Sequence, residues 1–262
     1  MPFNPISPSR TVLILGDEAV HVYGQTSGGV GYIDSISWSR SEFEDTLAEI
    51  LKKDGKFRPV LILYDMVEQY YRKERMPKVG VLDKASVLQR KLRTIFPQYH
   101  VRAALKLNEK PAKPQGKQSG QAMGDVYLCA AIPASEQYKK VMEAVKRSMV
   151  SIAGLCMLPV ESSDLVKTIA AKNGRRKGSR SKWAVFIGQH KNGGLRQIVI
   201  KNGELALTRM TSITDSDEQP EAWADEVLQE FSATMSYLTR FGFAQEDGLE
   251  VIIVANPDAG DI

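Results

Sequence analysis

The sequence has few of the residues that build reactive centres. Its two cysteines, Cys129 and Cys156, each sit in an apolar, strand-like run with no Cys-x-x-Cys pair. That excludes a disulfide framework and a thiolate metal site, and predicts two buried, reduced thiols. The three histidines, His21, His100 and His190, lie far apart with no i,i+4 spacing that would put two on one helix face for a metal. His21 alternates within a strand pattern and is expected to be half-exposed. No Walker loop and no nucleophile elbow occurs. No apolar run is long enough to cross a bilayer and no signal peptide opens the chain, so the chain as given is expected in the cytoplasm. The net charge of +4 is small for 262 residues and gives no reason to expect nucleic acid as a partner.

What is present is an ordinary globular composition, 43% apolar and 25% charged, at a length that suits two domains or one split architecture. The organising stretch is Trp183 to Ser212, which reads WAVFIG, QHKNGG, LRQIVI, KNG and ELALTRMTS. Three β-rich runs are separated by Asn-Gly turns, whose residues accept the positive φ of tight hairpins, so a three-stranded antiparallel meander is predicted. A long amphipathic segment, Glu221 to Phe241, and an apolar strand, Leu249 to Val254, follow. Trp223, Phe231 and Leu238 form the core stripe of that segment.

The same order stands near the start. TVLILG, AVHVYG and VGYIDSISW run from Thr11 to Trp38, with turns at Gly16, Gly24 and Gly28-Gly29. An amphipathic helix, Ser41 to Lys53, and an apolar strand, Pro59 to Tyr64, come next. Ser41 and Glu44 read as a capping box, and Gly55 as the stop. The chain thus carries β-β-β-α-β twice, from Thr11 and again from Trp183, and such repeats decide the fold.

Between the repeats, the charged run EQYYRKERM (Glu68 to Met76) reads as an edge or exposed strand. Asp83 is expected to cap a helix through Phe96. Strands are expected at Tyr99 to Leu107 and Asp125 to Ile132, joined by a Pro-, Gly- and Lys-rich mobile loop. Ser135 opens a helix whose apolar side carries Tyr138, Val141, Met142, Val145 and Met149. A buried strand, Ile152 to Leu158, then ends at Pro159, and a short helix runs from Ser162 or Ser163 to Ala171. KNGRRKGSRSK (Lys172 to Lys182) has no apolar residue and reads as a solvated basic linker carrying Arg175, Arg176, Lys177 and Arg180. Anionic lipid or an acidic protein is the alternative use of such a cluster. RNA is less suited, because no aromatics interleave with the cations to stack on bases.

Two β-β-β-α-β units, the first interrupted by a small β-α-β-β insertion, resemble the actin-like ATPase fold, an α/β architecture. Within it the sequence resembles the PilM and GspL group, cytoplasmic components of type IV pilus and type II secretion machines. The carriers are RKERMP (Arg72 to Pro77), LQRKLRTIFP (Leu88 to Pro97), VYLCAAIPASEQYKKVMEAV (Val126 to Val145), GLCMLPVESSDLVKTIA (Gly154 to Ala170) and VIKNGELALTRMTSI (Val199 to Ile213). The resemblance implies a flexible tail over 1–9 and a first actin-like subdomain from 10–65 and 150–171, with an inserted subdomain at 66–149. A linker at 172–182 and a second subdomain at 183–262 complete it, the latter truncated if its last elements lie beyond Ile262.

Active members of the superfamily place Asp-x-Gly at the end of each repeat's first strand, the acid holding the metal ion or its water shell. The matching triplets here are Ile14-Leu15-Gly16 and Phe186-Ile187-Gly188. Both glycines are kept and both acids are apolar. No Ser or Thr follows Gly16, and the adenosine-binding Gly-Gly turn is replaced by Val254-Ala255-Asn256-Pro257. No nucleotide, metal or other cofactor is therefore expected, and no catalysis. The expected role is a scaffold at the cytoplasmic face of the bacterial inner membrane, docking a hexameric assembly ATPase and inner-membrane pilus or secretion proteins. A homodimer is among the assemblies this allows. Tyr70, Tyr71, Arg72 and Arg75 of the exposed strand are the expected partner contacts, by strand addition. The rival readings are a working ATPase or sugar-kinase relative using Asp17 and Asp258, and a lipid- or RNA-binding module using the basic stretch. The Gln189 to Gly194 residues serve hairpin geometry, the alternative being a basic turn that holds a phosphate through backbone N–H groups.

Overall fold

A computed structural model describes residues 9–108, 124–177, 181–189, 194–212, 220–240 and 242–254. The chain forms two compact units, Met1–Leu155 and Cys156–Ile262.

In the first unit, β1 (Arg10–Leu15), β2 (Ala19–Thr26) and β3 (Gly29–Ser37) make an antiparallel meander, followed by α1 (Phe43–Lys53) and β4 (Val60–Tyr64). β4 returns parallel beside β1, with Leu13 opposite Ile62 and Leu15 opposite Tyr64. An inserted block follows: β5 (Tyr70–Arg75), α2 (Val81–Ile95), β6 (Val101–Lys106) and β7 (Val126–Ile132), whose strands pair in the order β5-β7-β6. α3 (Glu136–Ser148) and β8 (Ile152–Met157) then rejoin the main sheet, whose order is β3-β2-β1-β4-β8. Val60 N–H donates to the carbonyl of Ser151 (2.8 Å), so β8 starts beside the start of β4 and runs parallel to it. α3 lies against α1, with Arg147 Nη1 2.7 Å from Asp45 Oδ1.

The second unit opens with α4 (Leu158–Lys177), then β9 (Trp183–Gln189), β10 (Gly194–Lys201), β11 (Glu204–Ser212), α5 (Pro220–Arg240) and β12 (Leu249–Val254). Its sheet order is β11-β10-β9-β12, with β12 parallel to β9, so the pattern of the first four strands recurs. Asn202 and Gly203 take φ of 54° and 81° in the β10–β11 turn, the left-handed pair that Asn-Gly was expected to supply. Trp183, Val185, Ile187, Leu195, Val199 and Leu238 form the core between sheet and α5, with Phe231 packed against it. α4 packs on this sheet, although the sequence places residues 150–171 with the first one.

Several local expectations are corrected. Helix α1 is preceded by Glu42 at its N-cap, with no side-chain cap bond, so Ser41 caps nothing. Gly80, not Asp83, is the N-cap of α2, and Asp83 sits in the first turn, where its charge suits the helix dipole. Among the described residues β8 has a neighbour on one side only, so Ile152–Met157 is an edge strand, with Ile152 exposed. Met149 takes the left-handed C-cap of α3 (φ 59°), which turns its side chain out to solvent, 84% exposed. Helix α4 starts at Leu158 and reaches Lys177, longer at both ends than the sequence suggested, so part of the basic linker is helical. Pro159 does not block it, since the first helical turn needs no N–H from that position. His21 is buried, flanked by β1 and β3, and its Nδ1 lies 3.0 Å from Ser35 Oγ. Cys129 is buried but Cys156, near the end of β8, is only half-buried; neither forms a disulfide.

Candidate functional site

The two glycine turns are the places where the sequence predicts, and then denies, phosphate chemistry. In the first, Gly16 N–H donates to the carbonyl of Ala19 (3.0 Å), closing a hairpin whose loop residues are Asp17 and Glu18. Trp38 Nε1 donates to the carbonyl of Gly16 (2.9 Å), so both backbone groups of this glycine are engaged within the fold. The Asp17 carboxylate accepts a hydrogen bond from Val67 N–H (3.0 Å), tying the hairpin to the segment after β4. Ile14 stands in β1, two residues before Gly16, at the position where the resemblance implied an acid. Asp17 acts as a local staple between the hairpin and the segment after β4.

The sequence reading missed Asp65. It follows β4 directly, its N–H donates to the Leu15 carbonyl (2.9 Å), and it is 2% exposed. It lies at the carboxyl ends of the parallel strands β1 and β4, the end where open α/β sheets bind ligands. A lone acid closing an apolar run, VLILYD, was the available signal. Just before it, Tyr64 is fully buried, and its hydroxyl is pushed up to about 12, chiefly by burial and then by the charges of Glu68 and Asp17.

In the second turn the residues that follow Gln189, including His190, Asn192 and Gly193, lie outside the described residues. Phe186 and Gly188 share one face of β9, and a Cβ on Gly188 would stand 2.7 Å from Phe186 Cε1 and 2.9 Å from Cζ. The phenyl ring thus fills the surface that the glycine would leave open to a ligand. Opposite Gly188 on β10 stands Arg196, 8% exposed, its Nη1 donating to Thr208 Oγ1 at 3.5 Å. Arg196 was not foreseen either, though it is the one cation in the run LRQIVI. The side chains of Ile14 and Phe186 offer no oxygen ligand for a magnesium ion. Among the described residues no group of three or more His, Cys, Asp or Glu is placed to hold a metal. Asp258 and the Val254–Pro257 turn after Val254 fall outside them.

The exposed strand is β5, at an edge of the inserted sheet. Met76 N–H donates to the carbonyl of Asp125 opposite it (2.9 Å). Antiparallel ladders alternate, so Tyr70, Arg72 and Glu74 bond inward to β7, while Tyr71, Lys73 and Arg75 direct their backbone groups away from it. Tyr70 stacks on Tyr99 with ring centroids 4.5 Å apart, and Arg72 Nε pairs with Glu74 (2.6 Å). Arg75 Nη1 reaches the Gly124 carbonyl at 3.4 Å. The four predicted contact residues thus lie on one strand, but their side chains already engage neighbours within the insertion. Beyond the strand, a cavity of about 300 Å³ opens beside α2, lined among others by Met76, Val79, Leu88 and Tyr127. Asp125 at its rim is bound by Lys106 (2.9 Å) and Lys84 (3.3 Å), and chiefly Lys106 holds its carboxyl below the usual range. In the basic stretch, Arg175, Arg176 and Lys177 belong to the last turn of α4, and Arg180 lies outside the described residues.

No protein-family model and no curated protein matches this sequence. Among solved structures, a PilM-PilN type IV pilus biogenesis complex aligns with a TM-score of 0.61 at 10% identity, covering 95% of this chain and 89% of that one. A Bacteroides thetaiotaomicron protein with an actin-like ATPase fold and unknown function gives 0.48 at 8% identity, covering 98% and 85%. The cytoplasmic domain of EpsL, an inner-membrane component of the Vibrio cholerae type II secretion system, gives 0.44 at 9%, covering 78% and 71%. Identities this low speak to fold alone. With the strand order repeated in both sheets and the β5-to-β7 insertion in the first half, the fold is actin-like and resembles that of PilM.

Proposed function

We propose that this chain is a non-catalytic, actin-like scaffold of a type IV pilus or type II secretion assembly at the cytoplasmic face of an inner membrane. In this role it docks an assembly ATPase and membrane partners. One observation carries the loss of catalysis. In each half an apolar side chain, Ile14 or Phe186, takes the place of a metal-holding acid, and the Phe186 ring covers the glycine beside it. The likeness to a PilM-PilN complex supports the choice of machine and of a membrane-protein partner. No helix among the described residues is long and apolar enough to cross a membrane. Isothermal calorimetry with Mg-ATP tests the proposal: no heat of binding is expected, and a micromolar constant would overturn it.

The β5 edge supports strand addition by one of these partners, because among the described residues it ends its sheet and carries outward-directed backbone groups at Tyr71 and Arg75. Tyr71→Pro removes an outward donor and is expected to abolish partner binding in a folded protein, whereas Arg72→Pro breaks the ladder to β7 and destabilises the insertion. Partner binding that survives Tyr71→Pro would sink this part of the proposal.

A further inference from the structure

Charge is unevenly shared along the chain. Residues 66–132, which hold the inserted block, carry 13 Lys and Arg against 5 Asp and Glu, a net of +8. The whole chain is +4, so everything outside the insertion sums to −4. Such an asymmetry turns one end of a molecule toward an anionic surface. Two of the acids within the insertion are shared between cations: Glu74 pairs with both Arg72 and Lys91, and Asp125 with both Lys84 and Lys106.

Arg75, Lys78, Lys84 and Lys106 gather at the Gly124–Asp125 end of the insertion. Arg75 reaches the Gly124 carbonyl, and a Cβ on Gly124 would stand 2.9 Å from the Lys78 backbone nitrogen. From the same end projects an apolar tip, in which Val79 is 36% exposed, Val81 89% and Leu82 96%. Isolated exposed apolar residues are ordinary, but three within four positions are not. The α2 residues that join the core of the insertion are Leu88, Leu92 and Ile95, so the first turn of the helix stands clear of it. Lys84 follows Val81 by three residues and shares its side of the helix, and Asp83 is the one acid of that turn. Residues 109–123, which join β6 to β7, hold a single large apolar side chain, Met123, and three lysines against one glutamate. By composition they offer cations and almost no apolar cover.

The chemistry of the tip selects among anionic partners. Nucleic-acid bases stack on aromatic side chains, and Val79, Val81 and Leu82 supply none. A partner helix would call for an apolar stripe continuing down α2. The exposed positions beyond the tip, Ala85, Ser86, Gln89, Arg90 and Arg93, carry no large apolar side chain. Aliphatic residues at a projecting turn, with cations behind them, match the layering of a bilayer surface, acyl chains beneath anionic headgroups. We infer that this end of the insertion binds the surface of an anionic membrane. Val81 and Leu82 enter the acyl boundary, and Arg75, Lys78, Lys84 and Lys106 lie against lipid phosphates. The site goes beyond the scaffold reading and does not rest on it, since a chain that bound Mg-ATP would carry it equally well.

The test floats the full chain with vesicles of phosphatidylcholine, with and without phosphatidylglycerol. Binding is expected only where phosphatidylglycerol is present, and added salt should weaken it. Leu82→Asp should weaken it about tenfold or more, because the burial of a leucine side chain is lost. Lys78→Glu should weaken it about fivefold or more. Met149→Asp, at an exposed apolar position of α3, should leave it unchanged. All three positions are exposed, so the variants are expected to keep the wild-type melting curve. An environment-sensitive dye attached at Leu82→Cys, in a Cys156→Ser background, should shift to the blue when the anionic vesicles are added. Absence of vesicle binding, equal binding by Leu82→Asp, or an equal loss in Met149→Asp overturns the inference. So does a dye that is already blue-shifted without vesicles and unmoved by them, since the chain itself then covers the tip.

Discussion

The ring of Phe186 lies over Gly188 so closely that a methyl group there would meet Cε1 at 2.7 Å. Gly188 has no left-handed φ, so close approach by the ring, and not backbone conformation, is what demands glycine. Gly188→Ala is therefore expected to cost about 1–2 kcal/mol, the ring being the movable end of a side chain. In a Phe186→Ala background the same change should cost almost nothing, or stabilise slightly by lowering unfolded-chain entropy. Urea denaturation of the four proteins closes the cycle, and a coupling near zero would show that the two residues are independent.

Gly55 poses the opposite case. A Cβ there would stand 2.6 Å from the Leu51 carbonyl oxygen and 2.8 Å from Thr11 Oγ1. The first neighbour is backbone in the last turn of α1 and cannot swing aside. Gly55→Ala should thus destabilise the first unit by about 2–4 kcal/mol, more than Gly188→Ala, and Thr11→Ser should not relieve it. Equal midpoints for Gly55→Ala and wild type in thermal melts would contradict this.

Two serines that precede helices separate a real cap from an apparent one. Ser135 Oγ accepts from Tyr138 N–H at 3.2 Å and caps α3, whereas Ser41 precedes a helix whose N-cap, Glu42, makes no side-chain cap bond. Ser135→Ala should lower stability by about 1 kcal/mol and Ser41→Ala by almost nothing, measured by chemical denaturation. Similar losses in the two variants would mean that Ser41 caps α1 in solution.

The contrast also shows what a sequence can carry. Asn202-Gly203 and the apolar runs around Val185 and Leu13 announced the duplicated meander, because turn chemistry and strand periodicity are local. Whether a run is central or at an edge is not local. Ile152–Met157 and Val60–Tyr64 are equally apolar, yet only the second is flanked on both sides. Pro159 looked like a strand stop because proline ends many elements, and it sits instead in a helix's first turn. In the candidate site Ile14 and Phe186 were legible as apolar residues two positions before a glycine. Asp65 and Arg196 were not, since a single charge next to an apolar run has no spacing to distinguish it. It gains meaning only when pairing sets it beside Leu15 or Gly188.

The buried hydroxyl of Tyr64 gives the first unit an alkaline limit. Burial first, then Glu68 and Asp17, raise it to about 12, above the value near 10 of an exposed phenol. A pKa raised in the folded state means that the folded protein holds its proton longer than the unfolded chain does. The stabilisation is then complete below about pH 10, where both states are protonated, and is lost as pH rises toward about 12. Over that window this group should remove about 1–3 kcal/mol of stability, and Tyr64→Phe should be spared that loss. Lysines and other tyrosines titrate in the same range, so the informative quantity is the difference between wild type and Tyr64→Phe. That difference, from denaturant midpoints taken at steps of pH, should be flat below the window and shift in favour of Phe within it. A difference that stays flat throughout would mean that water reaches the Tyr64 hydroxyl in the folded state.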